Sequence, residues 1–349
     1  MGKTELIKQF SRGQNAIYFL ADRRTTKDQL KELGQIMGRH FNDEVLSKNG
    51  FVEWLDVFKY LRHNVKEPLI FAVDEYPYLV ETDSATGSVF QKGWDEYLKE
   101  VPVLLVLSGS SIAMMEDEAL SYKAPLYGRR SGQVLVQPMD FSQSQQFFKG
   151  LGFEEFLSIY TLVGGMPAYL LEIDPNETVE ANFRQRILDK KEFLYNEVEF
   201  ILREELREPR VYLSILAAIS LGKTRSSEII NTTGIEKSHL HKYLGVLEHL
   251  RLIQRELPIT EPMPAKSKKG LYKLPDNFLR VWFQFIYPFK SSLEIGDQSE
   301  ARGKFKATFP LLCCLAYEQV CQEILKKARS RYFHLRKLGA GGIKMKKLI

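Results

Sequence analysis

Leu69-Ile70-Phe71-Ala72-Val73-Asp74-Glu75 is a run of five apolar residues closed by two carboxylates. An apolar run of this length reads as a strand buried on both faces, as in a parallel sheet. Its paired acids then fall at the C-terminal end, where open α/β sheets bind ligands. There Asp74 would hold Mg²⁺ through water, and Glu75 would orient and polarise an attacking water. The bland alternative is a strand that ends in two acids at a solvated edge. Gly2-Lys3-Thr4 at the start of the chain weighs against it, because these are the closing residues of a phosphate-binding loop, Gly-x-x-x-x-Gly-Lys-[Ser/Thr]. Lys3 would neutralise β/γ-phosphate charge and Thr4 would ligate Mg²⁺ from a helix N-terminus. Gly222-Lys223-Thr224 repeats the three letters, but Ala217 stands where the first glycine belongs and an apolar helix precedes it. The tripeptide therefore carries little without its context.

Short apolar runs alternate with amphipathic stretches on both sides of this strand, the pattern of a parallel sheet with crossover helices. Asn15–Ala21, Val103–Ser108 and Gln133–Val136 read as further strands; Thr26–His40, Phe51–Val65 and Phe90–Val101 read as helices. Residues 1–137 are expected to form this α/β unit. Residues 138–208 turn almost wholly helical, broken at Gly164-Gly165-Met166-Pro167, and would form a lid. Residues 209–290 then spell helix, turn, helix. Val211–Ser220, Ser226–Thr232 and Glu236–His249 are the helices, and Arg251–Glu256 and Gly270–Lys273 are short strands flanking a Pro/Lys-rich wing at Pro258–Lys269. An aromatic helix at Asn277–Tyr287 follows. In residues 291–349 a last amphipathic helix spans 309–327, after which the apolar pattern stops.

With 349 residues the chain has room for two or three domains with cores of their own. No apolar run is long enough for a bilayer span and no segment reads as a signal peptide, so a cytoplasmic location without membrane contact is expected. Cys313, Cys314 and Cys321 lack metal-ligand spacing and read as reduced, mostly buried thiols. The net charge of +5 does not by itself argue for nucleic acid, although nine Lys or Arg and no acid follow Glu323.

Three further groups are candidates. Ser108, in Ser108-Gly109-Ser110-Ser111, ends a strand and could sense a γ-phosphate, where the simpler reading is a plain turn. Arg129 and Arg130 precede the last strand, where an arginine could reach a phosphate in its own or a neighbouring subunit, which would imply a homo-oligomer. Their simpler reading is a solvated pair. Lys237, Ser238, His239, His241 and Lys242 open the second helix of the helix-turn-helix, the part that meets bases and phosphates when such a helix enters a major groove. Lys266, Lys268 and Lys269 on the wing would meet backbone phosphates. Such a module also serves as a protein-docking surface.

Met1–Phe10 (MGKTELIKQF), Phe71–Leu79 (FAVDEYPYL), Leu107–Met115 (LSGSSIAMM), Pro125–Arg130 (PLYGRR), Gly164–Leu170 (GGMPAYL), Phe200–Arg210 (FILREELREPR) and Asp276–Trp282 (DNFLRVW) run nearly end to end. Together they resemble the prokaryotic, archaeal-type AAA-superfamily ATPases of the STAND-like group. These carry a P-loop ATPase core, a winged helix and a C-terminal nuclease-like domain. The resemblance implies ATP and Mg²⁺, with Lys3 on phosphate, Thr4 and Asp74 on metal, Glu75 as water-activating residue, Ser108 as sensor and Arg129 as the arginine finger. It implies an AAA-type α/β sheet with a helical lid, a winged helix and a C-terminal α/β segment, and an output linked to duplex DNA or to a protein partner.

Set against that family, the chain is expected to lack the first strand and the front of the P-loop, and so to bind ATP poorly. The C-terminal nuclease-like segment is expected to be cut short. Read from the third base of the Ala340 codon, codon degeneracy permits Arg-Trp-Asp-Lys-Asn-Glu-Glu-Ile-Asp, which resembles the family's Trp-Asp … Glu-Ile-Asp segment, so the basic tail would reflect a frameshift. The rival expectation is a non-catalytic winged-helix binding protein carrying a degenerate ATPase domain.

Overall fold

The computed structural model describes residues 2–115, 122, 124–206, 208–257, 270–332, 337–339 and 342–344. The chain divides into two compact units, Met1–Val136 and Gln137–Ile349. In the first, Leu69–Asp74 (β2) is buried at every position. It lies between Ala16–Leu20 (β1) and Val103–Leu107 (β3), all three parallel in the order β1-β2-β3. Burial on both faces is what the unbroken apolar run demands.

Lys3–Ser11 (α1) precedes β1. Thr26–Phe41 (α2), Glu44–Asn49 (α3) and Trp54–Asn64 (α4) connect β1 to β2, and Pro77–Thr82 (α5) and Thr86–Gly93 (α6) connect β2 to β3. α2 starts where the Thr25 side chain accepts the Asp28 amide, and it buries Leu30, Leu33 and Met37 at helical spacing. Beneath the C-terminal ends of the strands lies a cluster of rings. Phe90 meets Trp54 at 5.0 Å and both Phe58 and Tyr76 at 5.1 Å between centroids. Tyr76 directly follows Glu75, so this cluster is the floor on which the paired acids stand.

Two expected elements differ. Gln133–Val136 is not a strand: it runs without a ladder partner, and Val134 is 88% exposed. The apolar run Val134–Val136 favours extended backbone, but a strand exists only beside another, and among the described residues the ladder ends at β3. The helix expected over 90–101 is instead the end of α6 followed by a π-turn at Trp94–Leu98. Gly93 sits against the Phe58 ring, where a Cβ would approach to 2.1 Å, and the widened turn follows this close approach.

In the second unit, the Phe153–Val163 helix ends at Gly164, whose φ is +68°. Gly165 then passes so close to the Met139 carbonyl that a Cβ would lie 1.7 Å from its oxygen. After Phe193–Glu205 come the helices Pro209–Ser220, Ser226–Thr233 and Lys237–His249, with a left-handed turn at Gly234 between the last two. Gln254–Glu256 (β4) and Leu271–Lys273 (β5) pair antiparallel. The segment between them that was expected to be a wing, with Lys266, Lys268 and Lys269, lies outside the described residues, as do Met1, Ala340 and the last five residues of the basic tail.

The Asn277–Phe285 helix is largely buried, and its Trp282 indole donates to the Tyr195 carbonyl at 2.8 Å. The helix expected over 309–327 is the middle of a longer one, Ser299–Tyr332. Its buried stripe is Ala301, Phe305, Phe309, Leu312, Ala316 and Val320. The cysteines flank that stripe rather than lie in it: Cys314 is exposed and Cys313 and Cys321 are half-buried, all as free thiols, which corrects the expectation of burial. Among the described residues no helix is long and apolar enough to cross a membrane.

Phe90 joins three rings, so Phe90→Ala should lower stability by about 3–5 kcal/mol through lost burial and a residual cavity. Urea unfolding of the two proteins measures the difference, and a loss below about 1 kcal/mol would show that the ring cluster is not the anchor of this unit.

Candidate functional site

The C-terminal ends of β1, β2 and β3 converge on Asp74. Its side chain is fully buried, at 0% exposure. An acid removed from water needs donors, and two elements supply them to the same oxygen. Thr4 Oγ1, in the first turn of α1, donates to Asp74 Oδ2 at 2.6 Å, and the Tyr18 hydroxyl on β1 donates to it at 2.9 Å. The Glu75 amide reaches Oδ1 at 3.1 Å. Burial pushes the Asp74 carboxyl up, but donation from Thr4, the nearby Ser108 hydroxyl and donation from Tyr18 together outweigh it and hold the carboxyl below its ordinary range. Tyr18 responds in the opposite sense. Burial, then its bond to Asp74, pushes its phenol up to about 12.

Gly2 caps α1 in a left-handed conformation, φ +76°, and its carbonyl accepts the Leu6 amide at 3.0 Å. This turn places Lys3 and Thr4 at the start of the helix. Lys3 Nζ donates to the Gly109 carbonyl in the loop after β3. Glu75 leaves the strand with φ +54°, a left-handed conformation for a non-glycine residue that costs about 1–3 kcal/mol. Its Oε2 accepts from the Ser110 amide at 3.0 Å and from Ser110 Oγ at 2.8 Å.

Thus Lys3, Thr4, Asp74, Glu75 and the Ser108–Ser110 loop share one site. Ser108 is buried beside Asp74, where its hydroxyl helps to stabilise the carboxylate. Its backbone binds too, the amide to the Val73 carbonyl at 3.0 Å and the carbonyl to the Tyr76 amide at 2.8 Å.

Arg129 is engaged elsewhere. Its Nε and Nη2 hold Asp95 at 2.9 and 2.7 Å, and Nη1 donates to the Pro125 and Tyr127 carbonyls, each at 3.2 Å. A guanidinium spent in this way staples the 125–129 turn to the π-turn that carries Asp95, whereas the adjacent Arg130 is exposed.

On the Lys237–His249 helix, Leu240, Leu244 and Leu247 face the core while Lys237, Ser238, His239, His241 and Lys242 are exposed. Ser238 Oγ reaches back to Glu236 at 3.4 Å. Two site residues escaped the sequence reading. Tyr18 was hidden inside an ordinary apolar strand, and Ser110 was passed over for Ser108, the residue nearer the strand.

A family model described as an ATPase domain predominantly from Archaea matches residues 1–173. An uncharacterised protein of Methanocaldococcus jannaschii is 34% identical over 332 residues, which cover 93% of this chain and 70% of that protein. The chain belongs to the archaeal-type P-loop ATPases. A second uncharacterised M. jannaschii protein is 36% identical over 85 residues, 24% of this chain and 82% of that protein. A model of archaeal and bacterial proteins of unknown function matches residues 282–340 of the ATPase. Among solved structures, the Walker-type ATPase of Pyrococcus abyssi aligns with a TM-score of 0.60 at 23% identity, covering 81% of this chain and 87% of that one. That likeness is one of fold: a parallel sheet with flanking helices of the P-loop NTPase kind.

Removing the Tyr18 donor tests the site without reference to nucleotide. Tyr18→Phe should cost about 1–2 kcal/mol at pH 7 by denaturant unfolding. The phenol's folded-state pKa is raised, so the wild-type advantage is fully present below the unfolded value of 10.0 and is lost as pH rises towards about 12. An advantage that instead grows above pH 10 would contradict the geometry.

Proposed function

We propose that this ATPase hydrolyses ATP in a Mg²⁺-dependent reaction at the site formed by α1 and the ends of β2 and β3. One observation carries the reading: Thr4, at the first turn of a helix, is hydrogen-bonded to a fully buried aspartate that ends the central strand. A hydroxyl and a carboxylate 2.6 Å apart are hard oxygen donors of the kind Mg²⁺ prefers. Thr4 and Asp74 would hold the ion, which when bound would draw charge from the phosphate oxygens. Lys3 would exchange the Gly109 carbonyl for a phosphate oxygen, since an anion outcompetes a neutral dipole for an ammonium. Glu75, one residue beyond the buried acid, would accept a proton from the attacking water. Ser108, beside Asp74, would sense the γ-phosphate, and Arg129, which holds Asp95 in this structure, would serve as the finger.

The experiment is ATP binding and Mg²⁺-dependent turnover, in this chain and in a form extended by a strand and glycine-rich loop ahead of Gly2. Lys3→Ala should weaken nucleotide binding, and Glu75→Gln should lower kcat by about 10²-fold or more while leaving binding intact. Negligible ATP binding in both forms would favour a degenerate ATPase domain attached to a binding module.

For the output, the exposed Lys237, Ser238, His241 and Lys242 support docking of duplex DNA, with Glu236 and Glu248 limiting the patch and Lys273 already paired with Glu256 at 2.5 Å. Lys268 would add a backbone contact from the wing. Contacts of this kind are mainly to phosphate. Each of Lys237→Ala and Lys242→Ala should therefore weaken duplex binding across sequences and reduce the slope of log affinity against log salt by about 1. Fluorescence anisotropy with a labelled duplex measures it, and unchanged slopes would point to a protein partner instead.

A further inference from the structure

We infer that Ser110 is the positioning residue for Glu75, a role that rests on the hydrolysis reading above. Among the described residues only Asn42, Glu75 and Arg251 have positive φ without being glycine. Asn42 caps α2, and Arg251 follows the end of the Lys237–His249 helix, places where left-handed backbone is ordinary. Glu75 has no helix C-terminus to account for it. It sits between the central strand and α5, and its unusual conformation coincides with a side chain captured at its tip.

The capture is specific. Both Ser110 donors, amide and hydroxyl, converge on Oε2 and leave Oε1 without a hydrogen bond from Ser110. An oxygen that is doubly engaged fixes the plane of the carboxylate, and the other is then the one to accept a proton from water.

The turn that carries Ser110 is itself bolted to the strand end. Ser108 is hydrogen-bonded through its backbone to Val73 and Tyr76, one on each side of the acid pair. Gly109 fits against Pro77 so closely that a Cβ would lie 2.6 Å from the ring's Cδ and Cγ. Gly109 also presents its carbonyl to Lys3. A single short loop therefore touches both the cation expected on phosphate and the base expected on water, and Ser110 is its contact with the base. A carboxylate held in advance does not have to be oriented during the reaction, the gain that positioning residues supply.

Two measurements on the full chain test this. Hydrogen exchange reads the contact itself: the Ser110 amide should be protected, and Glu75→Ala should speed its exchange about tenfold or more. Unchanged exchange overturns the proposal. In turnover, Ser110→Ala should lower kcat about tenfold, the worth of one hydrogen bond, with KM for ATP unmoved, and Ser110→Thr should restore it. In a Glu75→Gln background Ser110→Ala should have no further effect, because the group it positions is gone. A change carried by KM, or an additive loss in the double variant, overturns the role. Turnover lost in Lys3→Ala and Glu75→Gln but unmoved by Ser110→Ala sinks the Ser110 assignment alone, whereas turnover indifferent to all three removes the hydrolysis reading and this one with it.

Discussion

A carboxylate with no access to water ends the central strand, and much of the first unit is arranged to tolerate it. Leaving Asp74 buried and unpaired would cost several kcal/mol or force it to take up a proton. Instead Thr4 and Tyr18 donate to one of its oxygens and the next backbone amide to the other. Those donors come from α1, β1 and β2, so satisfying one acid fixes the start of a helix against the ends of two strands. The result is an anion held below its ordinary range although its side chain is buried. The proposed Mg²⁺ binding by Thr4 and Asp74 relies on an acid kept ionised in this way.

From Asp74 the rest of the site follows by short steps. Glu75 must leave a fully buried strand and turn at once into α5, which begins at Pro77 and cannot reach back for a hydrogen bond through that proline's nitrogen. The turn is made in left-handed backbone, and Ser110 takes the displaced side chain. The ring cluster of Tyr76, Phe90, Phe58 and Trp54 resists relaxation from below. Strain at Glu75 is thereby balanced between a rigid floor and a two-donor clamp.

The fold was legible where burial writes itself into composition. Leu69–Glu75 could be read at once, because a strand covered on both faces has no polar residue to spare, and the helices on either side of Gly234 could be read from their apolar spacing and the glycine between them. Gln133–Val136 could not. Its short β-branched and apolar run is that of a strand, but pairing depends on a neighbour that local sequence does not encode. In the candidate site Lys3, Thr4, Asp74 and Glu75 were legible from their motifs, whereas Tyr18 and Ser110 were not. Tyr18 and Ser110 are unremarkable letters whose roles come from which carboxylate they meet. The partners of Arg129, here Asp95 and two carbonyls, were illegible for the related reason that they are set by tertiary contact. Sequence shows that a guanidinium is present and says nothing of whether its donors are already spent.

Gly-Lys-Thr occurs twice, and the two copies isolate what the letters alone do not carry. At Gly2 the tripeptide opens a helix, with the glycine carbonyl closing the first turn and the threonine hydroxyl on a buried acid. At Gly222 it follows a helix. The Gly222 amide returns to the Ile219 carbonyl and the Lys223 amide to Ala218, each at 3.0 Å, and the Thr224 carbonyl accepts the Tyr272 amide of β5 at 2.8 Å. Amides consumed in ending one helix cannot cradle a phosphate. A helix start leaves its first amides unpaired and pointing outward, and it carries the positive end of the helix dipole. Identical residues therefore present opposite electrostatics, and the sign is decided by whether the backbone is entering a helix or leaving one.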